Sequence, residues 1–290
     1  MIALTVGLAV FVGIALGLLG GGGSILTVPL LAYVAGMDAK QAIATSLLVV
    51  GVTSAVGAVS HARAGRVQWR TGLIFGVAGM AGAYAGGLLA RFIPGTVLLI
   101  GFAVMMIATA VAMLRGRKTI QTTEGAHRMP VPKIIAEGLV VGLVTGLVGA
   151  GGGFLVVPAL ALLGGLPMPV AVGTSLVVIA MKSFAGLAGY LSSVQIDWGL
   201  ALAVTAAAVV GALIGARLTA MIDPDALRKA FGWFVLGMSS VILAQEIHLA
   251  VGITAAALTV VALAMYLACS RSGFCPLRRL VGNHQVSAAA

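Results

Sequence analysis

Charge of either sign is scarce in this sequence, and acidic residues are scarcest. Seven Asp and Glu stand beside 17 Lys and Arg in 290 residues. A soluble domain carries roughly 25% charged residues, so a chain with 8% cannot cover a water-facing surface. Cysteine is also nearly missing. Cys269 and Cys275 are the only two, their C-x5-C spacing is a weak signal, and no His or Cys cluster accompanies them. That argues against a metal site or a disulfide framework. The few His, Asp and Glu are scattered, so a membrane-embedded enzyme lacks its acid–base pair. The reading is therefore no enzyme and no cofactor. Nor is there a basic domain interleaved with aromatics, and the net charge of +10 is not read as a nucleic-acid footprint.

What is abundant is apolar length. Hydrophobic residues make up 61% of the chain, and runs of about 20 apolar residues recur, as membrane-spanning helices require. The expected fold class is all-α, a polytopic membrane protein with about 9–11 membrane segments. The opening run, MIALTVGLAVFVGIALGLLG, has neither a basic leading region nor a small-residue cleavage site, and is read as a retained first helix. Glycine, 41 residues, is about twice its average usage. The G-x-x-x-G pairs Gly82/Gly86 and Gly211/Gly215 predict close helix packing.

The chain is also duplicated. GLLGGGGSILTVPLL (Gly17 to Leu31) returns as GLVGAGGGFLVVPAL (Gly146 to Leu160), 129 residues later. Residues 17–95 align with 146–224 at that offset without a gap, pairing Pro29 with Pro158, Gly57 with Gly186 and Trp69 with Trp198. A constant offset over this length is the mark of an internal repeat. Apolar runs predict helices near 1–19, 24–36, 41–60, 71–91 and 96–114 in the first half. The second half predicts them near 134–150, 153–165, 169–191, 199–219 and 229–246, with an extra helix near 249–268. The domain reading is a first repeat 1–114, a basic cytoplasmic linker 115–133, a second repeat 134–246, and an extra helix with a basic tail, 247–290.

Charge counting sets the expected topology. If each short segment, 24–36 and 153–165, counts as a crossing, each half crosses an odd number of times and the halves are inverted. Fourteen of the 17 basic residues then lie inside, with Lys40 and Arg91 outside and Lys182 within a helix. If the short segments return to their own side, the split is eight against eight. The positive-inside bias favours inversion. The expectation is a multi-pass protein of the cytoplasmic (inner) membrane, N-terminus outside and C-terminus cytoplasmic.

Paired short segments broken by glycine, in matching positions of inverted halves, point to a transporter's binding site. Broken helices aim free N–H groups and positive dipole ends at an anion near the midplane. The candidates are Gly22 and Gly23 in the first half and Gly151 and Gly152 in the second. Lys182, inside an apolar helix, costs about 2.5–3.5 kcal/mol on insertion scales and predicts a cavity or a partner. It is the candidate fixed positive charge for an anionic substrate, or else a structural counter-ion; its repeat counterpart is Thr53. The repeated pairs Thr45-Ser46 and Thr174-Ser175 can donate to an oxyanion or serve as helix caps. His61 and Glu137 are candidates for proton coupling, with interfacial placement as the plainer reading. The expected partners are a small anion and the lipid bilayer, with no nucleic acid, and the oligomeric state stays open, a homo-oligomer included.

Four features together resemble one family. They are the duplicated G-x-x-G-x-G-G/S segment ending in P-L, the following A/G-T-S-L, the G-x-V/I-x-W of Gly65 to Trp69, and the GA-x-x-G helix. This set is similar to the TauE/SafE family, over about residues 5–268. The resemblance implies transport of small sulfur-containing anions, sulfite or organosulfonates, across the cytoplasmic membrane, as export coupled to an ion gradient. A passive small-anion channel, or an uptake permease for another anion, is the alternative.

Overall fold

The structure is a computed structural model, and it describes residues 2–19, 22–114, 131–149, 156, 157, 160, 166, 168–218 and 224–272. Gly151 and Gly152, most of the second short segment, residues 115–130 of the expected linker, and Cys275 with the tail from 273 lie outside the described residues.

Every long apolar run forms a helix, because a backbone in hydrocarbon must satisfy its own polar groups. The first half has α1 (Ile2–Leu19), α2 (Thr27–Pro29), α3 (Ala39–Arg63), α4 (Trp69–Leu89) and α5 (Gly95–Leu114). The second has α6 (Val131–Val148), α7 (Met168–Tyr190), α8 (Trp198–Leu218) and α9 (Pro224–Glu246), and α10 (Leu249–Ser272) follows. No strand occurs among the described residues. Four helices there are long and apolar enough to cross a membrane: Ala39–Arg63, Trp69–Phe92, Val170–Tyr190 and Trp198–Leu218. They are two repeat-related pairs. Large apolar side chains such as Phe11, Val77, Leu202 and Leu258 stand exposed on the outer faces, as lipid-facing residues do.

The first short segment is one irregular rod. A 3-10 turn, Gly22–Leu26, leads into α2 and then a π turn, Leu30–Val34. Residues 24 to 31 are all buried. Non-helical backbone at membrane depth is tolerated only when protein encloses it, and here it does. In the second half, Val156, Val157 and Leu160 are buried likewise.

Glycine sets the tightest helix pairs, and the two halves do so identically. A Cβ on Gly82 of α4 would fall on the Leu139 carbonyl oxygen of α6, and a Cβ on Gly211 of α8 on that of Val10 of α1. Gly142 and Gly146 of α6 meet Gly79 and Ala83 of α4, just as Gly13 and Gly17 of α1 meet Ala208 and Ala212 of α8. Each partner in one list is 129 residues from its partner in the other. The two interfaces are therefore exchanged by an internal two-fold relation, as in an isologous dimer.

Directions follow from the same contacts. Gly186 lies against Leu47, Gly51 against Ser183, Gly57 against Leu176 and Gly173 against His61. One number falls as the other rises, so the equivalent helices α3 and α7 run antiparallel and cross near Val52 and Met181. α1 runs parallel to α8. α8 runs parallel to α3, since Gln41 near the start of α3 donates to Gln195 O just ahead of α8 and the later turns of both helices line one pocket. α1 and α3 thus share a direction, and the segment Gly22–Val34 carries the chain back between them. Its far end is fastened by Tyr33, whose hydroxyl donates to Glu246 of α9 at 3.1 Å.

Candidate functional site

The antiparallel crossing of α3 and α7 organises the interior. Thr53 and Lys182 each lie fourteen residues into their helix, about 21 Å from its start at 1.5 Å per residue. Both sit beside the crossing point. Lys182 is 1% exposed, and its Nζ donates to Thr145 Oγ1 of α6 at 3.2 Å. That is its one polar contact among the described residues, and no carboxylate takes part. Thr145 has spent its own proton on Val141 O at 2.7 Å, so it meets the lysine as an acceptor. A lysine end group has three donors, which leaves donors over.

Thr145 belongs to the last turn of α6, and that turn links Lys182 to the first half. Gly149 N donates to Thr145 O at 2.9 Å. Gly149 has φ +72°, the left-handed value that ends helices and that glycine adopts without penalty. Ser46 Oγ of α3 then donates to Gly149 O at 2.5 Å. Three hydrogen bonds thus tie Lys182 and Ser46 to the last turn of α6, where the glycine break begins.

The other hydroxyls are divided between roles. Thr174 Oγ1 accepts the backbone N–H of Gln68 at 2.9 Å, fixing the entry to α4. Ser175 Oγ is tied to Val172 O of its own helix at 2.8 Å. The Ser175 contact is back-bonding within its helix, whereas the Thr174 contact joins two helices. Thr45 is fully buried, and its hydroxyl has no hydrogen-bond partner among the described residues. Gly22 and Gly23 open the 3-10 turn of the first short segment.

His61 stands elsewhere. It lies on the last turn of α3, roughly 12 Å along the helix from Thr53, on a pocket of 340 Å³ between α1, α3, α7 and α8. Thr53 and Ser54 line the same pocket, and so does Arg217 near the end of α8. Glu137 is half-buried on α6 and is not among the pocket's lining residues. It precedes Thr145 by eight residues, about 12 Å along the axis. The structure thus brings Lys182 and Ser46 into one network, gathers His61 with Thr53 and Ser54, and leaves Glu137 apart from both. Reading the sequence missed Thr145, Ser54 and Ser183, although each is a polar residue inside an apolar run, the signal by which Lys182 was found.

Comparison with known proteins agrees with this architecture. A family model described as "Sulfite exporter TauE/SafE" matches residues 5–242. A "Probable membrane transporter protein" of Xylella fastidiosa (strain Temecula1) is 34% identical over 242 residues, covering 81% of this chain and 92% of that one. The "Probable membrane transporter protein YdhB" of Bacillus subtilis is 28% identical, covering 75% of this chain and 90% of that one. The "Probable membrane transporter protein MJ0441" of Methanocaldococcus jannaschii is 30% identical over 196 residues, 64% of this chain and 72% of its own. No solved structure matches the chain. With its glycine-broken halves and a family match over most of its length, the chain belongs to the TauE/SafE family of membrane proteins.

Proposed function

We propose that this chain is a secondary transporter that carries small sulfur-containing anions, sulfite or organosulfonates, out across the cytoplasmic membrane, coupled to an ion gradient. One observation carries the anion: Lys182 is buried beside the crossing of two repeat-related helices, with a single, neutral partner among the described residues. A buried ionisable group with donors to spare is costly to keep for structure alone. Its surplus donors suit an oxyanion. Backbone amides freed at the glycine breaks would complete the cradle.

The antiparallel course of α3 and α7 supports two halves inverted in the membrane, with the N-terminus outside and the C-terminus cytoplasmic. Arg63, Arg66 and Arg217 then lie at the cytoplasmic end, as the positive-inside rule asks. In such transporters the site sits at the repeat interface and one part rocks against the other. His61, on the pocket, is the better placed of the two proton-coupling candidates, and Glu137 the worse.

The test is flux of labelled sulfite in proteoliposomes, with and without an imposed proton gradient. Saturable flux that accumulates sulfite uphill is the expected result. Flux that does not saturate and cannot be driven uphill would make the protein a passive anion channel. No flux of sulfite or of an organosulfonate, with the protein correctly inserted, would overturn the substrate class.

A further inference from the structure

The two halves are related by sequence but not held alike, and the difference exposes a site. A Cβ on Gly186 of α7 would meet Leu47 and, on α4, stand 3.6 Å from the Ala83 carbonyl oxygen. A Cβ on its repeat counterpart, Gly57 of α3, would meet only Leu176 within 4 Å among the described residues, and not Ala212 of α8, the counterpart of Ala83. Near the ends of the same helices, Gly87 of α4 meets Gly186 and Gly189 backbone-to-backbone. Beside this contact, the Tyr190 hydroxyl donates to Leu147 O of α6 at 2.6 Å. These contacts pack α4, α6 and α7 closely at one end among the described residues. The equivalent space at the other end, between α3 and α8, is the 340 Å³ pocket, large enough for a small ligand.

The lining of that pocket is mostly apolar, with a few polar side chains among it. Ser54 is 2% exposed, and its Oγ has no hydrogen-bond partner among the described residues. A buried polar atom left unpaired needs an explanation, such as a ligand not yet bound. His61 Nδ1 is also buried and unpartnered there. Arg217 is among the lining residues, and no carboxylate is. The C-terminal ends of α3 and α8 lie at this end and carry partial negative charge. Arg63, Arg66 and Arg217 offset it. The floor is Thr53, level with Met181 and Lys182 across the crossing, so the pocket leads from one end of the bundle to the depth of the buried lysine.

We propose that Ser54, His61 and Arg217 form a second anion subsite, open to the cytoplasm, that receives a sulfonate or similar oxyanion before it reaches Lys182. This rests on the transporter reading for the direction of travel, while the binding it requires is measured independently of transport. Arg217 and His61 supply attraction and orientation at the mouth. Ser54 supplies a hydroxyl donor deeper in.

The experiment uses the full chain with Cys269 and Cys275 replaced by serine and Ser60→Cys introduced, at an exposed position on the same pocket that leaves Ser54 in place. Inside-out and right-side-out vesicles are treated with a membrane-impermeant maleimide. Methanesulfonate is the protecting anion, since it does not react with thiols or maleimides, and chloride at equal ionic strength is the control. The expected result is labelling from the cytoplasmic face only, slowed several-fold by methanesulfonate and not by chloride. Adding Arg217→Gln should leave the labelling and remove the protection. Labelling from the outer face, or labelling indifferent to methanesulfonate, overturns the subsite. If sulfite flux occurs without protection, the subsite falls and the transporter reading stands. Protection without flux of any sulfur anion leaves the subsite and overturns transport.

Discussion

Replacing Lys182 with methionine separates a transport role from a structural one, because the two give opposite signs of stability. Methionine keeps the unbranched stem and fills the same space. The change removes an end group whose placement at a membrane helix centre costs about 2.5–3.5 kcal/mol. It also removes one hydrogen bond to Thr145, worth about 1.5–3 kcal/mol if the lysine is charged. Thr145 is not stranded, since its proton stays on Val141 O, and no carboxylate is left unpaired. The balance runs from near zero to about 2 kcal/mol in favour of methionine. At about 2–4 °C per kcal/mol, the purified Lys182→Met protein should unfold at the same temperature or a few degrees higher. Anion flux should be lost. The companion Thr145→Val keeps the lysine and deletes its acceptor, and should cost about 1–3 kcal/mol. Thermal unfolding in detergent and flux in proteoliposomes, on the same preparations, read both quantities. A Lys182→Met protein that unfolds several degrees lower while keeping its flux would refute the reasoning, since the lysine would then be holding the fold and not the substrate.

Other consequences are as direct. Gly149→Ala puts a side chain at φ +72° and against Ile43; the left-handed conformation alone costs about 1–2 kcal/mol, so the melting temperature should fall by several degrees and flux should weaken. Gly82→Ala and Gly211→Ala force a methyl onto the backbone of α6 and of α1 respectively. Overpacking of this kind costs about 1–3 kcal/mol, and because the two contacts are repeat images, their losses in thermal unfolding should agree closely; a large difference would argue against the two-fold relation. A reporter enzyme fused after Ala290 should read as cytoplasmic, and a periplasmic reading would sink the inverted topology.

The fold was legible because hydrophobic length in a membrane leaves the backbone few options. The predicted runs 71–91 and 199–219 return as Trp69–Leu89 and Trp198–Leu218 with ends shifted by two residues or fewer. The GA-x-x-G pairs foretold close packing, and they carry it, but spacing alone could not name the partners, α6 for Gly82 and α1 for Gly211. The site was only half legible. Lys182 stood out by its cost, and its burial follows from that. Thr174 and Thr45 occupy the same repeat position, yet one holds Gln68 N and the other has no partner among the described residues. That divergence lies in how the halves are held, not in their residue types. Ser54 and Ser183 make the same point, being equivalent and both buried with unpartnered hydroxyls. Ser54 lines a pocket, while past Ser183 the helices α4 and α7 meet backbone to backbone at Gly87 and Gly189. A repeat in sequence specifies two equal halves. Access to a buried lysine from one side at a time requires that, in any one state, they be unequal.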